Sequence, residues 1–209
     1  VASASGGFEP DNSKWNAWRP EDVHRLLGAV EAPWCVSAGW AIDLFLGAQR
    51  REHEDLEIAV PHARFGELAK ALEGFEIFVA GGDGERGLVW PLAQAGDTLD
   101  RFWQTWVREP STGFWKLDIF RDQSQGDTWI CRRDGRIRLP YSELIERTEG
   151  GIPYSRPEVV LLFKAKHARE KDDDDLAAAL PRLDPERRQW LAAALELVHP
   201  GHRWLGELG

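Results

Sequence analysis

Two carboxylates stand two positions apart in the run His53-Glu54-Asp55-Leu56-Glu57-Ile58. The segment Asp55–Val60 alternates polar and apolar residues as a half-exposed strand does, so Asp55 and Glu57 share one face. Carboxylate oxygens placed in this way can hold a hard cation. A third carboxylate, Asp118, lies in Phe114-Trp115-Lys116-Leu117-Asp118-Ile119-Phe120. There Lys116 shares its face, while Leu117 and Ile119 point towards a core. If the two strands are neighbours, the three carboxylates converge. Two unit charges about 4 Å apart repel by roughly 4 kcal/mol at an effective dielectric near 20. Three such groups stay ionised together only beside a divalent cation, and Mg²⁺ suits an all-oxygen donor set that also meets phosphate. The blander alternatives are a solvated acidic strand face and a surface pair between Asp118 and Lys116.

A second group of residues points to phosphate. Val36-Ser37-Ala38-Gly39-Trp40 reads as a strand that turns at once into a helix, Trp40–Leu46, closed by Gly47. Small residues at a helix N-terminus let backbone N–H groups approach a phosphate, although the Cβ of Ala38 restricts positive φ and crowds that position. Further on, Val159–Phe163 is apolar all round, the mark of a buried helix. The basic run Lys164-Ala165-Lys166-His167-Ala168-Arg169-Glu170-Lys171 follows it. Lys166, then Lys164 and Lys171, are the candidate phosphate ligands, acting as point charges. Asp43 reads as a brace for its own helix, and Asp172–Asp175 as acidic residues at a helix start.

The elements that position these groups follow from the pattern. Pro20-Glu21-Asp22 opens a helix whose apolar face is Val23, Leu26, Leu27 and Val30. Another helix follows Pro61, with Phe65, Leu68, Ala69 and Leu72 on one side. Phe75–Ala80 and Gly87–Ala93 read as a hairpin around Gly81-Gly82-Asp83-Gly84, and Thr128–Leu139 as another around Asp134-Gly135. Phe102–Arg108 fits a strand or a short helix equally. Ser155-Arg156-Pro157-Glu158 has the form of a capping box, and Asp184-Pro185-Glu186 caps a further helix. The expected organisation is a flexible tail (1–15), a core (16–150) and a C-terminal helical lobe (151–209), an α+β arrangement with a mixed β-sheet and flanking helices.

The chain has 209 residues, 43% of them apolar, and a formal charge of −9. That acidity disfavours nucleic acid and anionic membranes as partners and suits a cationic small molecule. No stretch approaches the roughly 18 apolar residues of a spanning helix, which makes the cytoplasm the expected compartment. Cys35 and Cys131 read as buried apolar residues, too few for a disulfide framework or a thiolate metal site. Trp103, Trp106, Trp115 and Trp129 gather in the strand region, where core packing is the default reading.

The segment Ala38–Glu57, with Asp55 placed 16 positions after Gly39 and a distant Asp118, resembles the signature of the polymerase-beta-like nucleotidyltransferase superfamily. Gly39-Trp40-Ala41-Ile42-Asp43 and His53-Glu54-Asp55-Leu56-Glu57 are most similar to its aminoglycoside and lincosamide branch. The likeness is strongest over about forty residues and extends loosely through Leu117-Asp118-Ile119 and Lys164–Asp172. The resemblance implies a nucleotidyltransferase-like fold and transfer of a nucleoside monophosphate from a nucleoside triphosphate (NTP) to a hydroxyl of a small, aminoglycoside-like molecule. It further implies Mg²⁺, as two ions, on Asp55 and Glu57, with Asp118 as third ligand or as base, and nucleotide contacts at Ala38, Gly39 and the lysines. The branch has glycine where this chain has Ala38, which motivates a second reading: a binding or biosynthetic protein on the same fold with altered chemistry.

Overall fold

The computed structural model describes residues 6–82 and 86–209. Helix α1 (Pro20–Leu26) begins with proline at its first position, and the Asp22 carboxylate accepts the Arg19 N–H at 3.1 Å. Val23 and Leu27 are buried, whereas Leu26 is exposed, and the helix ends one turn earlier than its apolar pattern suggests. Strand β1 (Cys35–Val36) leads into α2 (Ala38–Leu46), which ends at Gly47 with φ +77°. Strand β2 (Glu57–Pro61) follows, then a single 3-10 turn and α3 (Phe65–Ala71). Strands β3 (Glu76–Gly82) and β4 (Gly87–Pro91) form the first expected hairpin, in register from Phe78 opposite Pro91 to Gly82 opposite Gly87. Of its expected turn, Asp83 and Gly84 lie outside the described residues. A Cβ at Gly81 would strike the Phe102 ring, which stacks on Trp90, so this strand position requires glycine.

Helix α4 (Thr98–Arg101) precedes β5 (Gln104–Arg108), which settles the ambiguous 102–108 stretch as strand. Then come β6 (Trp115–Asp122), β7 (Ser124–Gln125), β8 (Thr128–Ile130) and β9 (Arg138–Pro140), the last two forming the second expected hairpin. Helix α5 (Tyr141–Leu144) leads to β10 (Ile145–Arg147) and β11 (Pro153–Ser155). The remainder is helical: α6 (Pro157–Lys164), α7 (Glu170–Ala179), α8 (Pro185–Val198) and α9 (Leu205–Leu208). The Asp184 carboxylate accepts the Arg187 N–H at 2.9 Å and caps α8 as expected. The capping box expected at Ser155 is absent. Ser155 belongs to β11, and Glu158 is ion-paired with Arg156 instead.

The chain forms two compact units, each built from two separate stretches. The first takes in residues up to Trp34 and His53–Asp122. Its strands run in the order β2-β6-β5-β3-β4, with β2 and β6 parallel and the other pairs antiparallel. On β6 the residues Leu117, Ile119 and Arg121 line one fully buried face, while a register shift against β5 turns Trp115 towards Phe78 and Trp106 on the other. Arg121 survives there because its guanidinium is satisfied, donating to Thr105 Oγ1 (2.8 Å), to the Leu99 carbonyl (2.5 Å) and to the Phe102 carbonyl. Burial nevertheless lowers its pKa to about 10.

Of the expected tail, the stretch from Phe8 to Trp15 is pinned to this unit. Phe8 exchanges two backbone hydrogen bonds with Val89 (3.0 and 2.9 Å), and the Lys14 and Trp115 main chains are bonded at 2.8 Å. Aromatic contacts of Phe8 with Phe78 and of Trp15 with Trp106 anchor the same stretch.

The second unit comprises Cys35–Glu52 and Gln123–Gly209. Here β11 pairs parallel with β1 and antiparallel with β10, and β7-β8-β9 form a small antiparallel sheet. Helix α2 packs on α6 and α7, and α6 on α8. The boundary expected near residue 150 therefore falls inside this unit, because the apolar side chains of α2 are buried among the C-terminal helices. Cys35 and Cys131 are buried free thiols. No helix among the described residues is long and apolar enough to cross a membrane.

Candidate active site

Strand pairing decides the first group of candidates. The parallel β2–β6 register sets Glu57 beside Asp118 and Ile58 beside Ile119. Just before β2, the Leu56 carbonyl accepts the Asp118 N–H at 2.9 Å, which ties the Asp55 approach to the same point of β6. The apolar residues Leu56, Ile58, Leu117 and Ile119 are fully buried and fix this register, since a slip of one residue would put them on the opposite face.

Asp118 is only 3% exposed. Burial raises its pKa well above the ordinary carboxylate value, and the charge of Glu57 raises it further. A hydrogen bond from Gln104 opposes that shift, and Asp55 adds to it. Asp55 and Glu57 thus both lie within electrostatic reach of Asp118. Gln104 Nε2 donates to Asp118 Oδ2 at 2.5 Å, whereas Asp118 Oδ1 is buried without a hydrogen-bond partner. Lys116 does not pair with Asp118. Its ammonium lies 3.6 Å from Glu109, which removes the surface-pair alternative.

The expected metal centre is not closed as the side chains stand. Among the described residues, no three His, Cys, Asp or Glu side chains are gathered as a metal-holding group. One Asp118 oxygen accepts from Gln104. The donor set nevertheless fits a hard divalent cation: it is all carboxylate oxygen, it repels itself, and it contains one buried oxygen with no donor.

The second group lies in the other unit. Ser37 is extended and Ala38 has φ +49°, the only positive φ at a non-glycine residue among those described. Alanine therefore takes the left-handed conformation that glycine favours, and the tight entry into α2 is kept in spite of the Cβ. This conformation costs an L-residue about 1–2 kcal/mol. Glycine there would return about 0.4–1 kcal/mol through the entropy of the unfolded chain. Ala38→Gly is accordingly expected to raise stability by up to about 1 kcal/mol, read as a higher urea midpoint. A lower midpoint would contradict the strain.

Of the three candidate lysines, Lys166 and Lys171 are exposed. Lys164 is committed elsewhere: its ammonium lies 2.7 Å from Asp172 and 2.9 Å from Asp175, both buried. The acidic run is thus more than a set of helix-start charges. Asp175 also meets Arg50 at 2.5 Å and Arg51 at 3.5 Å, and Asp43 meets Arg50 at 3.3 Å, so Asp43 does brace α2. Burial pushes the Asp172 pKa up, but hydrogen bonds from Arg169 and Lys164 outweigh it and bring it down to about 2. A lysine followed at a distance by four consecutive aspartates does not reveal this pairing in sequence, because the connection depends on how α6 meets α7.

Gln104 was not among the residues that the sequence singles out. Once Phe102–Arg108 is read as a strand, Gln104, Trp106 and Arg108 share a face, and that alternation is the signal that could have found it.

The aminoglycoside-2''-adenylyltransferase family matches residues 21–85, which include Ala38, Gly39, Asp55 and Glu57. A 2''-aminoglycoside nucleotidyltransferase of Escherichia coli is 37% identical over 54 residues, 24% of this chain and 30% of the relative. One of Klebsiella pneumoniae matches to the same extent. The chain thus spans less than a third of the length of these curated relatives. Among solved structures, the antibiotic-resistance factor ANT(2'')-Ia in solution superposes with a TM-score of 0.55 at 18% identity, over 85% of this chain and 91% of its own. Lincosamide antibiotic adenylyltransferase LnuA with lincomycin bound gives 0.52 at 18% identity, over 78% and 96%. ANT(2'')-Ia in complex with adenylyl-2''-tobramycin gives 0.54 at 18% identity, over 85% and 97%. The chain thus shares its fold with these nucleotidyltransferase structures over most of its length, and its residues 21–85 are similar to the aminoglycoside-2''-adenylyltransferase family.

Proposed function

We propose that the protein transfers a nucleoside monophosphate from an NTP to a hydroxyl of a small cationic antibiotic of the aminoglycoside class. The observation that carries this reading is the buried Asp118 set beside Glu57 by the parallel β2–β6 register, with one oxygen left without a donor. Asp55, Glu57 and Asp118 would hold Mg²⁺, which when bound supplies positive charge against the triphosphate. Asp118 takes the proton of the acceptor hydroxyl, a task suited to a carboxylate whose pKa is raised. The hydroxyl oxygen bonds to the α-phosphorus as the bond to the bridging oxygen breaks, and pyrophosphate leaves. Within the second unit, N–H groups at the Ala38-Gly39 turn and the exposed Lys166 and Lys171 are the proposed phosphate contacts. The left-handed Ala38 supports an active enzyme over the altered-chemistry reading, since the turn is kept without glycine.

The test is incubation with each NTP, Mg²⁺ and a panel of aminoglycosides and lincosamides, followed by mass spectrometry. A mass gain of one nucleoside monophosphate on an antibiotic is expected. No adduct with any combination would leave the binding or biosynthetic reading in its place.

A further inference from the structure

Strand β5 places Gln104, Trp106 and Arg108 on one face and the fully buried Thr105 and Val107 on the other. Register sets Trp106 beside Asp118 and Gln104 beside Phe120. From there Gln104 reaches diagonally to the Asp118 Oδ2 atom. Trp106 is half-buried, wedged edge-on against Trp15 and Trp115 with ring centroids 5.3 Å away in each case. Its indole Nε1 is buried without a hydrogen-bond partner, and so is Asp118 Oδ1 across the strand pair. The indole N–H is nevertheless close enough to the carboxyl to lower its pKa. An unsatisfied buried donor or acceptor costs about 1–3 kcal/mol. Here one of each stands on neighbouring strands at paired positions, one with a proton to give and one with a lone pair to receive it.

We propose that Gln104 and Trp106 are positioning residues for Asp118: Gln104 holds Oδ2, and the Trp106 indole N–H is held in place for Oδ1, so that the carboxylate keeps one orientation beside Glu57. The idea rests on the nucleotidyl-transfer reading above. A carboxylate on two rotatable bonds can take several staggered orientations, and two donors fixed to one strand select one of them. The wedged Trp ring makes the second donor rigid, since turning it would break its contacts with Trp15 and Trp115.

Neither residue contacts the reacting atoms, so the test must separate orientation from folding. Outer partners that orient a ligand are worth about 10–100-fold in affinity or activity. Gln104→Leu is expected to lower kcat by about that factor. It should weaken Mn²⁺ binding, read from the free-ion paramagnetic resonance signal, by several-fold or about tenfold. KM for the antibiotic should stay near wild type, while the thermal midpoint in EDTA should fall modestly because Oδ2 loses its donor. Trp106→Phe keeps the ring, loses only the N–H, and is expected to move the same two quantities less. Gln104→Asn, which keeps a donor on a shorter arm, should recover part of the loss.

A separate readout needs no turnover. The indole ¹⁵N–H resonance missing from Trp106→Phe identifies Trp106, and it is expected to shift in Asp118→Asn and in Gln104→Leu. Wild-type protein that neither binds Mn²⁺ nor transfers a nucleotide overturns the transfer reading. An active wild type with unchanged kcat in both variants, or a Trp106 resonance indifferent to Asp118, overturns the positioning role alone.

Discussion

Asp118→Asn is expected to lower nucleotidyl transfer by about 10²–10⁴-fold, the range spanned by loss of a general base, while the protein becomes more stable without metal. The two effects have opposite signs for one reason. The carboxylate is buried on β6 beside Glu57, and its pKa is raised in the folded chain. A raised carboxylate pKa means that the folded protein holds its proton more tightly than the unfolded one. Stability is therefore fully present below pH 3.8 and is lost as pH rises through the folded value. Asparagine keeps the shape and can still accept from Gln104, but it carries no charge to desolvate. In EDTA the variant should have the higher thermal midpoint at neutral pH, and the gap should close as pH is lowered. Divalent cations should raise the midpoint of the wild type and leave that of the variant much less affected. A variant that transfers at the wild-type rate, or unfolds earlier in EDTA, would remove Asp118 from the role given to it.

The second large effect lies in the other unit. Asp175→Ala is expected to destabilise the protein by about 3 kcal/mol, at the lower end for breaking a buried ion pair. Asp175 is 1% exposed and is shared by Arg50, Arg51 and Lys164. Its removal leaves the arginines, themselves only partly exposed, with fewer acceptors and sets Lys164 back on Asp172 alone. In thermal unfolding this corresponds to a fall of about 6–12 °C for a chain of this length. Asp134→Ala makes the useful contrast. Its partner Arg136 is mostly exposed, and the loss of such a pair is worth about 0–1 kcal/mol. Equal midpoints for the two variants would show that the network around Asp175 contributes nothing beyond a surface pair.

Much of this architecture is written locally. Pro20, Asp184-Pro185 and Gly47 mark helix ends through their own backbone preferences, and each end lies within a residue or so of its mark. Glu57 and Asp118 are legible because strand alternation fixes their faces, whereas the strand expected from Asp55 begins only at Glu57 and leaves Asp55 just before it. What the sequence leaves hidden depends on distant partners. Phe102–Arg108 becomes a strand because β3 and β6 lie on either side of it, and its own residues do not decide the matter. The N-terminal segment is held by aromatic contacts to Phe78 and Trp106, which no local pattern announces. Lys164 looks like a free cation in sequence, yet the packing of α6 on α7 places two aspartates against it.

The arrangement of α2 has a consequence for the birth of the chain. Trp40, Ala41 and Ile42 are buried against helices that begin only at Pro157, more than a hundred residues later. At synthesis rates of about 5–20 residues per second, that interval is on the order of 5–20 s. Throughout it the apolar side of α2 has left the ribosome without its eventual neighbours. This stretch is where a nascent chain would be open to chaperone capture or to premature cleavage. A burden of that kind would show in the yield of protein made rather than in the stability of protein already folded.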